Sequence, residues 1–131
     1  MAHPKADVVR GVIEAVGKRD FETVAAMIAT GAVYHVSGHG PVAGVYRGRD
    51  EVMGFARKQT ALTNDTLEIT EIHDIIASDD HVVAMLRLRA QKDNHVFDWG
   101  RVIVYHVDGE QITEAWIVDG DQAGLDRFLS T

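Results

Sequence analysis

The segment that decides the fold is residues 66–118, which read TLEITEIHDIIASDDHVVAMLRLRAQKDNHVFDWGRVIVYHVDGEQITEAWIV. It contains four stretches rich in aliphatic, β-branched and aromatic residues, each long enough for a strand. Only a few polar residues separate one stretch from the next, so consecutive strands must run antiparallel. The segment therefore predicts a four-stranded meander, with strands at 66–77, 81–91, 96–107 and 111–118.

Three short polar turns connect the predicted strands, at 78–80, 92–94 and 108–109. The last is Asp108-Gly109, a dipeptide that suits the positive φ angles of a type I′ hairpin. The middle one, Lys92-Asp93-Asn94, leaves open whether the loop holds two or three residues. This matters because a shift of one residue moves every side chain of a strand to the opposite face.

The residues before the meander supply helices that can cover one face of this sheet. Apolar residues recur at helical spacing after Pro4, and Gly17 marks the end of this first helix. Asp20 is placed to cap a second helix, which stops at Gly31. The other predicted elements are a strand at 32–36, a brief pairing of Val45 and Tyr46, a third helix from Arg49 or Asp50 to about Thr60, and a closing helix at 123–129.

The composition narrows the class of protein. With 131 residues, the chain is expected to form a single domain, residues 1–131. Its formal net charge of −7 would repel a phosphate backbone, which argues against nucleic-acid binding. No long uncharged apolar run predicts a membrane span, and the first residues lack the apolar core of a signal peptide. Because cysteine is also absent, a cytoplasmic protein without disulfides is expected.

Three segments carry a resemblance to a known family: YHVSG at 34–38, PVAGVYRGRDEV at 41–52 and DGEQITEAWIVDGDQ at 108–122. They resemble the first strand, the following loop and helix start, and the closing strand and tail of SnoaL-like domains. From about Val8 to Leu129, the chain is similar to SnoaL-like and ketosteroid isomerase-like proteins of the nuclear transport factor two superfamily. The resemblance implies an α+β fold of the cystatin-like kind, a cone-like curved antiparallel sheet wrapped by three N-terminal helices.

The resemblance does not carry over the catalytic groups of characterised relatives. A ketosteroid isomerase-like base would fall at Val36, and the two oxyanion donors would fall at Val12 and Val102. The carboxylate that SnoaL-like cyclases and the related epoxide hydrolases place on the last strand would fall at Ile117. None of these side chains is polar, so the resemblance implies a fold without naming a reaction.

Two aspartates are the candidate catalytic carboxylates. Counting back from a two-residue turn in the last hairpin places Asp98 opposite Asp119. The resemblance implies that this row faces the pocket, which would put both aspartates near the mouth of the cone. Like charges at this distance raise the pKa of one carboxyl group, which suits a general acid or base near neutral pH. Alternatively, Asp119 caps the final helix while Asp98 pairs with Arg87 or Arg89 on the neighbouring strand.

His35 is the third candidate catalytic residue, because it adjoins the loop that should rim the pocket and can titrate near neutral pH. Strand alternation gives the competing interpretation, in which Tyr34 and Val36 point inward and His35 points away. Arg89 is placed at the polar end of the pocket. The expected ligand-binding lining comprises Tyr34, Val36, Phe55, Val102, Val104 and Ile117.

The opposite face of the last hairpin predicts a partner surface, because its residues are large and apolar. A homodimer through this outer face is therefore expected, unless the final helix or the N-terminal segment covers it. Arg101 would stand opposite Trp116 and stack on it. The row comprises Trp99, Ile103, Tyr105, Ile112, Trp116 and Val118.

Seven histidines invite a metal hypothesis, but Ser37-Gly38 breaks any helix that would align His35 with His39. No metal and no other cofactor are therefore expected. The sequence favours a SnoaL-like protein that binds a small, largely apolar organic ligand. If it is an enzyme, a question that the sequence leaves open, cofactor-independent acid–base chemistry of the isomerase, cyclase or hydrolase type suits its residues. The alternative is a noncatalytic dimeric binding or assembly module with a closed cavity.

Overall fold

The computed structural model describes residues 3–131. Within them, the chain forms four helices and six strands. Their bounds, in chain order, are α1 Pro4–Gly17, α2 Phe21–Ala26, β1 Ile28–Val36, β2 Gly44–Arg47, α3 Arg49–Leu62, β3 Glu68–Ala77, β4 Val82–Lys92, β5 His95–Asp108, β6 Gln111–Asp119 and α4 Gln122–Ser130.

The strands form one curved sheet in the order β2-β1-β6-β5-β4-β3. Neighbouring strands run antiparallel, except that β1 and β6 pair in parallel. The predicted meander is the run from β3 to β6, and the predicted pairing of Val45 and Tyr46 is the short edge strand β2. The expected α+β class, with a curved and mainly antiparallel sheet, is therefore confirmed.

Helices α1, α2 and α3 pack on one face of the sheet, here called the inner face. They do so because each presents apolar side chains on one side, such as Val12 of α1, Val24 of α2 and Phe55 of α3. Burying a large aliphatic side chain stabilises the folded state by about 1.5–3 kcal/mol. Across residues 3–131, every helix is too short or too polar to cross a membrane.

The second helix ends earlier than the sequence predicted. Asp20 is its N-cap, and one carboxylate oxygen accepts a hydrogen bond from the Thr23 backbone N–H at 3.3 Å. The C-cap is Met27, and Gly31 lies within β1. The predicted stop at Gly31 was wrong because the parallel pairing of β1 with β6 already begins at Ile28.

The last hairpin turns one residue later than predicted. Asp108 pairs with Gln111, so Gly109 and Glu110 form the loop, and Gly109 takes a φ of +61°. A β-bulge at Thr113 then changes the register again. As a result, Asp119 faces Arg101 across the strands, and not Asp98.

The predicted and observed registers differ by an odd number of residues. Each side chain of β5 therefore points to the face opposite to the predicted one. Val102 and Val104 point to the outer face of the sheet, and their expected place in the pocket was wrong. The predicted outer row was wrong for Trp99, Ile103, Tyr105 and Ile112, which are buried on the inner face.

Candidate functional site

A cavity of about 100 Å3 lies between helices α1 to α3 and the inner face of the sheet. The two-layer arrangement creates it, because curvature of the sheet keeps the helices from filling the centre. Most of its wall is apolar, so water gains little by entering it. Its apolar lining includes Val12, Val52, Phe55, Leu86, Leu88, Ile103 and Ile117.

The polar part of the wall centres on Arg101, which lines the cavity and forms a buried ion pair with Asp119; the two residues are 5% and 6% exposed. Arg101 Nε donates to Asp119 Oδ1 at 2.6 Å, and Arg101 Nη2 donates to Oδ2 at 3.3 Å. Trp99 Nε1 donates to the same Oδ1 at 2.9 Å, and Arg101 Nη2 also donates to Gln59 Oε1 at 2.8 Å. Both carboxylate oxygens are thus occupied, as a buried charge requires.

Two buried tyrosines, Tyr34 on β1 and Tyr105 on β5, also line the cavity. Burial raises the pKa of Tyr34 well above its ordinary value, and the neighbouring Tyr105 adds to the rise. Burial likewise raises the pKa of Tyr105, although the positive charge of Arg101 opposes this effect. Both phenols are therefore neutral at physiological pH and able to donate a hydrogen bond.

The two aspartates singled out from the sequence are not brought together. Asp98 is exposed on the outer face and stands in register with Arg89 of β4, which is also exposed. This matches the alternative placement of Asp98 beside Arg89, and it puts both residues outside the cavity. The expected opposition of Asp98 and Asp119 was wrong because the turn and the bulge shift the register. The cap of α4 is Asp121, which accepts a hydrogen bond from Gly124 N at 3.1 Å, and not Asp119.

His35 also lies on the outer face, as strand alternation allowed. Its Nε2 is 2.7 Å from Glu114 Oε2, and its ring stacks on Trp116 with centroids 5.3 Å apart and planes 7° apart. The ring is on the side of β1 opposite to Tyr34, so it does not reach the cavity. Glu114 lies between two histidines, because His106 Nδ1 is 3.5 Å from its other oxygen.

The predicted ligand-binding residues divide between the two faces. Tyr34, Phe55 and Ile117 line the cavity. Val36 is buried, but it borders a shallow outer depression beside His35 and does not line the cavity. Val102 is 40% exposed on the outer face, so its position contradicts the prediction.

Sequence reasoning missed the other polar side chains that line the cavity alongside Tyr34, namely Arg101, Gln59, Tyr105, Arg19 and Thr60. A signal for two of them was present. Arg101 and Tyr105 share a period-two row with Trp99 and Ile103, so whichever face buries one buries all four. An arginine in such a row needs a buried acidic partner, and Asp119 is that partner.

The candidate site offers no place for a metal ion. Among residues 3–131, no three histidine, aspartate or glutamate side chains come close enough together to bind one. The buried carboxylate of Asp119 is already neutralised by Arg101.

Comparison with known proteins agrees with the fold. The model of the SnoaL-like domain matches residues 9–115. An uncharacterised protein of Mycobacterium tuberculosis is 29% identical over 123 residues, which are 93% of each chain.

A protein of unknown function with a cystatin-like fold from Xanthomonas campestris has a TM-score of 0.88 at 24% identity, covering 94% of this chain and 95% of that one. IdmH of Streptomyces antibioticus, a candidate polyketide cyclase, has a TM-score of 0.79 at 22% identity, covering 98% and 100%. Because the family model spans most of its length, this chain belongs to the SnoaL-like domain family.

Proposed function

We propose that this protein binds a small, largely apolar organic molecule in the cavity between its helices and the inner face of the sheet. The observation that carries the proposal is a cavity of about 100 Å3 with an apolar wall and a few convergent polar groups. A dry apolar cavity of about 150 Å3 in another protein accommodates benzene. The expected ligand is therefore about the size of a single ring. A small organic ligand also agrees with the candidate polyketide cyclase that shares this fold.

The hydrogen bonds of Asp119 favour binding over carboxylate catalysis. A general base needs a free lone pair within reach of the proton that it removes. Both oxygens of Asp119 instead accept hydrogen bonds from Arg101, and one of them also accepts from Trp99. Asp98 and His35 lie on the outer face, away from the cavity. We therefore propose that the pair of Arg101 and Asp119 orients hydrogen-bond donors toward the cavity. This role favours a noncatalytic binding protein over an acid–base enzyme.

We also propose that two copies associate through the outer face of the sheet. Val102 and Val118 are cross-strand partners that are 40% and 54% exposed, and Trp116 stands next to them on β6. Helices α1 to α3 cover only the inner face, so these side chains face water in a single copy. In a two-fold dimer, this patch would be buried against the same patch of the second copy. Two-fold dimers are the commonest closed assemblies of identical chains.

The binding proposal is tested by filling the cavity. Ala56 of α3 lines the cavity, whereas Ala61 of the same helix is exposed. We expect Ala56→Phe to abolish binding of small monocyclic compounds, as detected by ligand-observed NMR, because the new ring occupies their space. The matched variant Ala61→Phe should bind like the wild type. Full binding by a folded Ala56→Phe variant would contradict the proposed site.

A further inference from the structure

The two cavity tyrosines lie in one row across three adjacent strands. Tyr34 of β1 is in register with Ala115 of β6, and Ala115 is in register with Tyr105 of β5. Neighbouring strands are about 4.8 Å apart, so the Cα atoms of the two tyrosines are roughly 10 Å from each other. The residue between them carries only a methyl group and is fully buried. Both phenol rings line the cavity from the two strands that flank Ala115.

The hydroxyl groups of both tyrosines are open to the cavity. Neither one hydrogen-bonds to another group within residues 3–131. Over the same residues, every fully enclosed side-chain nitrogen or oxygen has a partner, so these two hydroxyls are not fully enclosed. Tyr46 is different, because its hydroxyl donates to the Val42 carbonyl at 2.7 Å and its ring does not line the cavity.

The free hydrogen-bonding capacity of the cavity wall consists mainly of donors. Asp119 and the Gln59 side-chain oxygen are occupied by Arg101. In residues 3–131, the Arg101 Nη1 and Gln59 Nε2 groups have no hydrogen-bond partner, and both can only donate. Two neutral phenols add to these donors, and the remaining polar side chains of the wall, Arg19 and Thr60, already donate to Asp65 and to the Ala56 carbonyl. A ligand that fills the cavity needs acceptor oxygens to form hydrogen bonds with these donors. Each buried donor left without a partner would weaken binding by about 1–3 kcal/mol.

We propose that Tyr34 and Tyr105 together donate hydrogen bonds to one carbonyl oxygen of the bound molecule, whose apolar part packs against the rest of the cavity. This inference rests on the proposed binding function and narrows its ligand to carbonyl compounds of about one ring. Neutral donors suit an uncharged carbonyl better than a carboxylate, because both cations in the wall, Arg101 and Arg19, are already paired with Asp119 and Asp65.

The test compares cyclohexanone with methylenecyclohexane, which has nearly the same shape but carries CH2 in place of the carbonyl oxygen. We expect wild-type protein to bind the ketone more tightly in calorimetry. Tyr34→Phe and Tyr105→Phe should each weaken ketone binding about three- to tenfold, as expected for one lost hydrogen bond. Neither substitution should change binding of the hydrocarbon. Tyr46→Phe is the matched control and should leave the affinity of both probes unchanged.

The possible outcomes distinguish a failure of the carbonyl assignment from a failure of the proposed binding function. If both probes bind and the tyrosine variants change neither affinity, the carbonyl assignment is wrong while cavity binding stands. If neither probe binds wild-type protein, the cavity does not take a ring of this size, and the proposed function fails together with the assignment. A lower carbonyl stretching frequency of bound cyclohexanone, lost in the double variant Tyr34→Phe/Tyr105→Phe, would support direct hydrogen bonding. Thermal melting confirms that each variant is folded.

Discussion

At the scale of single residues, the buried pair of Arg101 and Asp119 sets the charge of the cavity wall. It places a guanidinium group in an apolar wall without leaving a net charge there. A pair of this kind contributes little net stability compared with well-packed apolar residues, but losing one partner leaves an uncompensated buried charge. The pair therefore serves to orient donors toward the cavity and is a poor source of stability.

This view predicts how substitutions of the pair affect stability. We expect Asp119→Leu to lower the free energy of unfolding by about 3–5 kcal/mol, because Arg101 stays buried without its partner. The double variant Arg101→Met/Asp119→Leu should recover most of this loss, since both charges are then gone. Urea unfolding measures both effects, and Asp98→Leu is the exposed control, expected to change stability by no more than about 0.5 kcal/mol. Additive losses in the double variant would contradict the interpretation.

The tyrosines allow a second prediction at this scale. Burial raises the pKa of Tyr34 and of Tyr105 above the ordinary value of 10.0. Because the raised values belong to the folded state, the neutral phenols stabilise the fold below pH 10, and this contribution declines as the pH rises above it. Burial also raises the pKa of Tyr46, but its ring is only partly buried. In an ultraviolet titration, we therefore expect Tyr46 to ionise in the folded protein and the other two only as the chain unfolds. Ionisation of all three before any loss of circular dichroism would refute this.

At the scale of secondary structure elements, most of the fold could be predicted from the sequence. The strands of the meander are found within two residues of their predicted limits, because turn residues and apolar patterns are local signals. Register is different, because it depends on which two residues form a loop and on whether a bulge follows. The Asp108-Gly109 motif indicated the hairpin, but Gly109 and Glu110 form its loop. The bulge at Thr113 had no sequence signal at all.

That difference in register decided how much of the candidate site could be predicted. Tyr34, Phe55 and Ile117 were placed correctly in the cavity wall because their assignments depended on alternation within one element. Asp98 and Val102 were misplaced because their assignments depended on counting across the hairpin. Sequence patterns can therefore establish which residues share a face, while the choice between the two faces needs the paired strand.

At the scale of the whole molecule, the two faces of the sheet have separate roles. The inner face holds the cavity that we propose as the ligand site, and the outer face carries a patch formed by Val102, Trp116 and Val118. His35 and His106 pack against Trp116 from two sides, face to face and edge to face respectively. The aromatic ring of the patch is thus packed against neighbouring side chains, and aromatic residues are enriched at the centre of protein interfaces.

The outer patch predicts the oligomeric state. Val118→Arg should convert a homodimer to a monomer in sedimentation equilibrium, because two-fold pairing would place the new charge against its own copy in a desolvated interface. Ile76→Arg is the matched control, since Ile76 is equally exposed, at 54%, but lies on the edge strand β3, away from the patch. It should leave the mass unchanged. Because the cavity opens on the other side of the sheet, a monomeric Val118→Arg variant should still bind cyclohexanone with wild-type affinity. A dimeric Val118→Arg variant would contradict the proposed interface, and a monomer without affinity would indicate that assembly and binding are coupled.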